Sequence, residues 1–237
     1  SDTGTLIIKK MIEHKFVIHL DSATHRWEKF KDDPSYIKWS ATLVDDITEE
    51  QDKRMLSYWN LPHHRHIGKC SCLDSHYRLY KHIVTNKLND VLILEDDAVK
   101  VGEYPTEYPI DSITYLGGYF HKNKMTDGGI VDWLVHENGI NSTDGSCCLM
   151  MTMSYIIPTW EIAQELVDYI DSLKRWKASD ILLWKSPIKK SYLYPAVVVE
   201  EEIPSLLRNK KSKTNIYYQL VKWGTCHNTV IESKQKK

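Results

Sequence analysis

Glu95-Asp96-Asp97 is the densest concentration of potential chemistry in this 237-residue chain. Three adjacent carboxylates follow directly on the apolar run Val91-Leu92-Ile93-Leu94. Neighbouring negative charges repel one another, and a divalent cation with oxygen ligands relieves that repulsion. The apolar run is short for a helix and reads as a buried strand whose carboxyl end delivers the acids to a crevice. The same stretch, closed by Ala98, also fits an acidic turn that does no more than end a strand, so its surroundings decide between the two.

Several other residues have types and positions suited to chemistry. Ser179-Asp180 precedes Ile181-Leu182-Leu183, a helix-capping pattern that also exposes a carboxylate at a helix start. Ser75, His76 and Arg78 open a helix after a loop, where backbone N–H groups and cationic side chains can meet phosphate or ribose. His76 reads equally well as a core residue bonded to a neighbouring strand. Gly117-Gly118 allows unusual dihedrals or the close approach of a ligand, and serves a plain turn as well. Leu61 to Gly68, with Pro62 and His63-His64-Arg65-His66, reads as a loop that is solvated or faces phosphate. It has no second ligand set at a recognised metal spacing.

Alternating elements must position these groups. His14 to Leu20 reads as a first buried strand, with Asp21-Ser22 capping a helix through Phe30, a natural place for a nucleotide. Tyr36 to Val44 holds a second strand, and Thr48-x-x-Gln51 resembles a capping box. Cys72 to Lys87 carries apolar residues at helical spacing and leads into the acidic strand. Ser112 to Leu116 reads as a strand ending at the two glycines, and Ser146 to Ile157 as another buried strand. Pro158 opens an amphipathic helix along Ile162, Ala163, Leu166, Val167, Ile170 and Leu173. Tyr192 to Val199 reads as a strand and Glu200-Glu201-Glu202 as a solvated acidic turn. The polar segment His121 to Gly145 is the candidate substrate cover, and the residues from Pro204 onward are expected to wrap over the domain. Strands alternating with helices predict an α/β fold on a mostly parallel central sheet flanked by helices. Leu20-Asp21, Glu95-Asp96-Asp97 and Gly117-Gly118 then surround one crevice.

Composition narrows the classes. A net charge of -1 gives no sign of nucleic-acid binding. Fourteen Tyr and eight Trp against three Phe weight the aromatics toward rings with a polar handle, useful beside sugars and equally in cores. Trp133, Trp160 and Trp184 are the candidate stacking faces, each also readable as packing. The five cysteines, Cys70, Cys72, Cys147, Cys148 and Cys226, lack zinc-ribbon spacing and read as reduced thiols. No run approaches the roughly 18 apolar residues of a membrane span, and Ser1 to Thr5 has no signal-peptide pattern, so a cytoplasmic location, of the host if the source is viral, is expected.

Three segments together resemble glycosyltransferase family 25. They are Val17-Ile18-His19-Leu20-Asp21 with Arg26, Cys72-Leu73-Asp74-Ser75-His76 with Tyr80, and Ile93-Leu94-Glu95-Asp96-Asp97-Ala98. That family includes lipooligosaccharide and procollagen galactosyltransferases and related enzymes of large DNA viruses. Tyr155-Ile156-Ile157 and Ser179-Asp180 fall where the family also has a strand and a conspicuous aspartate. This chain departs from the family pattern in having His19 where Asn is usual and one arginine, Arg26, where two are usual.

The resemblance implies a GT-A-like fold in a single domain, with a nucleotide-binding half up to about residue 120 and an acceptor-binding half with a C-terminal wrap after it. It implies a metal-dependent inverting glycosyltransferase, a hexosyltransferase using Mn2+ or Mg2+. The nucleotide-sugar donor, UDP-hexose first among the candidates, would give its sugar to a glycan or glycosylated protein. Asp97 is the first metal ligand, with Glu95 and, from Gly224-Thr225-Cys226-His227, His227, which also reads as a surface histidine. Leu20, Asp21, Arg26, Ser75, His76, Arg78, Glu95, Asp96, Gly117 and Gly118 are the donor contacts. Asp180 is the candidate base, with Asp144 next. The competing readings are a noncatalytic nucleotide-sugar or carbohydrate-binding module of the same fold, and a metal-dependent phosphotransferase or nuclease using the same acids.

Overall fold

The structure, a computed structural model, describes residues 7–9, 11–55, 63–122, 138–143 and 147–201. Asp144, Trp133, Cys226, His227 and most of the expected cover and C-terminal wrap lie outside the described residues.

In chain order the strands and helices are β1 (Ile7–Lys9), β2 (His14–His19), α1 (Thr24–Trp27), β3 (Tyr36–Ser40), α2 (Glu49–Arg54), α3 (His63–Asn86), β4 (Val91–Glu95), β5 (Ala98–Lys100), β6 (Glu107–Pro109), β7 (Ser112–Tyr115) and β8 (Tyr119–Lys122). They continue with β9 (Gly139–Ser142), β10 (Cys147–Met150), β11 (Ser154–Ile157), α4 (Trp160–Ser172), α5 (Ser179–Lys185), β12 (Lys189–Tyr194) and β13 (Val198–Glu200). Seven strands form the central sheet, ordered β3-β2-β4-β11-β7-β12-β9. β2 pairs parallel with β3 and β4, and β12 parallel with β7, whereas β11 runs antiparallel to both β4 and β7, and β9 antiparallel to β12. Five strands therefore share one direction, and their carboxyl ends lie along one edge. The expected α/β architecture with a mostly parallel sheet and flanking helices is present, and it is compatible with a GT-A-like fold.

β4 has no alternation because both of its faces are covered. Val91 and Ile93 pack into a core with Leu79 and Ile83 of α3 and Ala163 and Leu166 of α4, while Leu92 and Leu94 face Phe30, Tyr108 and Val198 on the other side. α4 buries the expected stripe of Ile162, Ala163, Leu166, Val167 and Ile170, and the Thr159 hydroxyl accepts the Ile162 N–H at its start. The capping box at Thr48 and Gln51 is formed in both directions.

Four local expectations change. α3 begins at His63, so the histidine-rich stretch from His63 onward is helical rather than loop. Pro62 directly precedes it in sequence, a residue well tolerated at a helix entry. α1 is a single turn without a side-chain cap, because Asp21 instead pairs with Lys38 at 2.8 Å. The stretch from Ser146 to Ile157 contains two strands, β10 and β11, that pair with different partners. The stretch from Tyr192 to Val199 is likewise divided between β12 and β13.

α3 is the element that sets the site. Its inward face is apolar at Leu73, Leu79, Tyr80 and Ile83, yet it also buries Ser71, Asp74, Ser75 and His76. Buried polar side chains need partners, and here they find them in the loop after β3 and at the end of β4.

Candidate active site

The carboxyl ends of β2 and β4 meet at Asp96. Its Oδ2 accepts the Leu20 N–H at 3.0 Å and pairs with His19 Nδ1 at 2.9 Å, and its Oδ1 accepts from Arg26 Nη1 at 2.8 Å. Both oxygens of this buried carboxylate are thus committed to groups from β2 and α1. Asp96 acts as a strut that fixes the turn bearing the other two acids. The buried Nε atoms of His19 and Arg26 have no hydrogen-bond partner among the described residues, so this clamp retains polar capacity of its own.

Glu95 is held at one oxygen. His76 Nε2 lies 3.0 Å from Oε1, and the Thr152 hydroxyl donates to the same atom at 2.5 Å. His76 is 1% exposed, and its Nδ1 contacts the Tyr155 hydroxyl at 2.7 Å. Burial pushes the Glu95 carboxyl up, and the hydrogen bonds from His76 and Thr152 together with the cationic neighbours hold it net below its ordinary value.

Asp97 is the opposite case. Burial, then the charges of Glu95 and Glu200, push its carboxyl up to about 8 against the pull of Arg26. Its Oδ1 is enclosed without a hydrogen-bond partner among the described residues. An orphaned carboxylate oxygen beside further carboxylates is the donor set a hard divalent cation takes. The residues present fit such an ion. Glu200 enters because β13 pairs with β5, placing Glu200 opposite Ala98, and the Glu201 N–H donates to the Asp97 carbonyl at 2.7 Å. The expected solvated acidic turn is therefore, at Glu200, a strand end beside the site.

Asp180 sits in the first turn of α5, where its Oδ1 accepts the Ile181 N–H at 2.8 Å. Burial raises its carboxyl above the ordinary value; the Ile181 and Met151 backbone bonds oppose this and the Glu95 charge adds to it. Asp97 and Asp180 each feel the charge of Glu95, which groups the three acids near the end of β4.

Ser75 and Arg78, expected to open a helix beside a donor, lie in the middle of α3 and are turned elsewhere. Ser75 Oγ accepts the Thr42 N–H at 2.8 Å and donates to the Ser71 carbonyl at 2.7 Å. Arg78 donates to Thr42 Oγ1 at 2.8 Å, and its guanidinium lies over Trp39. Both tie α3 to the loop after β3. Trp160 and Trp184 pack against the core. At Gly117 the close approach is made by backbone. A Cβ there would lie 2.1 Å from the Val198 carbonyl oxygen and 2.6 Å from Met153 Cε. Gly117→Ala must displace the Val198 backbone of β13, and it is expected to lower stability by about 3 kcal/mol, read as a drop in Tm. Gly118, at φ +124°, also has the backbone freedom that favours glycine.

Cys72 Sγ, a His76 ring nitrogen and a Glu95 oxygen lie within 4.8 Å of one another, a spacing that a metal ion could bridge. This trio is a poorer cation site than Asp97. Both His76 nitrogens are engaged, and burial with the Glu95 charge drives the Cys72 thiol far above its ordinary value. Thr152 carries no signal in the sequence, and Ser179 and Tyr155, though they fall in stretches the sequence marks, are not marked there for their hydroxyls. Single hydroxyls with no motif around them give no signal until strand order brings them together.

Residues 12–108 match the family model of glycosyltransferase family 25 (LPS biosynthesis protein). The matched span contains the Asp96 clamp, the α3 block and all three acids of the turn, and it bears out the family resemblance of the sequence. The match supports a glycosyltransferase. No curated protein matches the chain.

Proposed function

We propose, from the glycosyltransferase family 25 match over residues 12–108, that the chain is a metal-dependent inverting glycosyltransferase. It moves a sugar, a hexose from a UDP donor in the first instance, to a hydroxyl of a glycan or glycosylated protein. The observation that carries this reading is the convergence of Glu95, Asp97 and Asp180 at the carboxyl edge of the sheet, with one Asp97 oxygen enclosed and unpartnered among the described residues.

Asp97 and Glu95 would hold Mn2+ or Mg2+, which supplies charge neutralisation for a diphosphate leaving group. Asp180 takes the proton from the acceptor hydroxyl, and that oxygen forms the new bond to the anomeric carbon. The bond from that carbon to the diphosphate breaks, and the nucleoside diphosphate departs with the electron pair. Arg26, anchored by Asp96, provides a fixed positive charge beside Glu95 and Asp97. Asp21, exposed after β2, and the backbone around Leu20 and Gly118 remain the proposed nucleotide contacts. Ser75, His76 and Arg78 act behind them by fixing α3. His227 as a further ligand and Asp144 as an alternative base lie outside the described residues.

Incubation of the full chain with a panel of UDP-, GDP- and CMP-sugars and Mn2+, with and without glycan acceptors, tests the reading. Release of nucleoside diphosphate that depends on both cation and acceptor is expected. Tight nucleotide binding with no release from any donor would assign the chain to the noncatalytic binding modules instead.

A further inference from the structure

Two chains of buried hydroxyl, thiol and imidazole groups end on the same atom, Glu95 Oε1, and on the Thr152 side their polarity is fixed by counting hydrogens. On one side, Thr152 Oγ1 donates its single hydrogen to Oε1 at 2.5 Å. Its 3.1 Å contact with Ser179 Oγ must then be donated by Ser179, and the 3.4 Å contact between Ser179 and Cys72 must be donated by the thiol. On the other side, an ionised carboxylate only accepts, so His76 Nε2–H donates to Oε1 at 3.0 Å. His76 Nδ1 lies 2.7 Å from the Tyr155 hydroxyl, which in turn lies 2.7 Å from the Tyr80 hydroxyl. The imidazole also stacks on the Tyr155 ring, with centroids 5.8 Å apart and planes 28° from parallel. No described residue donates to Oε2, the other oxygen.

The backbone adds a further sign that this arrangement is imposed. Met151, immediately before Thr152, has φ +79°, a left-handed conformation that costs a side-chain-bearing residue about 1–3 kcal/mol. The Met151 N–H bonds Asp180 while the Thr152 hydroxyl bonds Glu95, so one strained dipeptide reaches two of the three acids. β11 runs antiparallel to β4, with Ser154 opposite Leu94, and this brings the residues that enter β11 to the end of β4.

We propose that Thr152 and His76 are positioning residues that hold Glu95 by Oε1, so that Oε2 is presented to the cation and its diphosphate partner. Ser179 with Cys72, and Tyr155 with Tyr80, stand behind them. This rests on the glycosyltransferase reading for the identity of the diphosphate, but the positioning of a cation ligand is measurable without turnover. Outer residues that orient a ligand typically change metal affinity or activity by about 10–100-fold when lost.

The test is Mn2+ binding to the full chain by titration calorimetry, alongside Tm. Thr152→Val keeps the shape and removes the hydroxyl, and it is expected to weaken Mn2+ binding by about tenfold. Thr152→Ser restores the hydroxyl and is expected to bind within about threefold of the parent. Should the valine variant fail to fold, Thr152→Ala removes the same hydroxyl without the branched methyl and is expected to weaken binding by about tenfold. Parent-like Mn2+ affinity in the folded valine or alanine variant, a serine variant as weak as the valine one, or no Mn2+ binding by the parent overturns the inference. Weakened binding in the valine variant combined with no sugar transfer from any donor upholds the positioning role and removes only the glycosyltransferase reading.

Discussion

Asp97→Asn is expected to make the cation-free protein more stable at pH 8 while abolishing the stabilisation that Mn2+ gives the parent. The carboxyl of Asp97 titrates at about 8 in the fold, far above the ordinary 3.8, because burial and the charges of Glu95 and Glu200 disfavour its ionised form. Between those two values the folded chain holds a proton that the unfolded chain has released. Stability therefore falls as pH rises through that window, and the full penalty is present above about 8. Asparagine carries no charge and removes the penalty. Some contact with solvent screens the charge, so the gain is expected at about 1–2 kcal/mol, or roughly 2–6 °C in Tm. The gap between variant and parent should close toward pH 4, where both carry a neutral side chain. A cation bound at Asp97 repays the same penalty in the parent, so Mn2+ should raise the Tm of the parent and leave the variant unmoved. Transfer activity should fall by at least about 100-fold. An undiminished Mn2+ shift in Asp97→Asn would place the ion elsewhere.

The three adjacent acids thus have three different physical situations, and the sequence distinguishes them only in part. That they end a buried strand is legible, because Val91 to Leu94 is apolar on both faces and too short for a helix. The capping box at Thr48 and the stripe of α4 are legible for the same reason: each is a local pattern with a local physical cause. What decides the fate of each carboxylate is not local. Asp96 is neutralised by His19 and Arg26, 77 and 70 residues away in sequence. Glu95 is fixed by Thr152, 57 residues away, which arrives there only because β11 runs against its neighbours. A sequence that alternates strands and helices gives no sign of that reversal. Nor does it show that Glu200 returns beside Asp97 through the β5–β13 pairing. The polar residues of the α3 block carry little signal, since α3 has many polar side chains and only burial separates Asp74, Ser75 and His76 from the rest. Periodicity alone does not separate the member that reaches the crevice, His76, from those that tie α3 to Thr42.

The division of labour also bears on which acid can act as a base. Asp96 has no free oxygen, and Glu95 is held below its ordinary carboxyl value by its donors, which suits a ligand or an electrostatic partner better than a proton acceptor. Asp97, enclosed beside two other acids, is the cation ligand we propose. Asp180 is left with the appropriate combination. Burial raises its carboxyl above the ordinary value, and the Ile181 and Met151 N–H groups fix its orientation. A carboxylate tuned upward is a stronger base than an ordinary one. Asp180→Asn preserves the shape and the acceptor oxygen for Ile181, so donor and Mn2+ affinity are expected within a few-fold of the parent. The turnover number should fall by about 100- to 10,000-fold, the usual contribution of a positioned base. In the parent, activity should decline as pH falls through an apparent value above the ordinary carboxylate range, because protonation of Asp180 removes the base. That acidic limb should vanish from the residual activity of the variant. Substantial turnover in Asp180→Asn with the limb intact would move the proton acceptor to another residue, and Asp144 is then the next to replace.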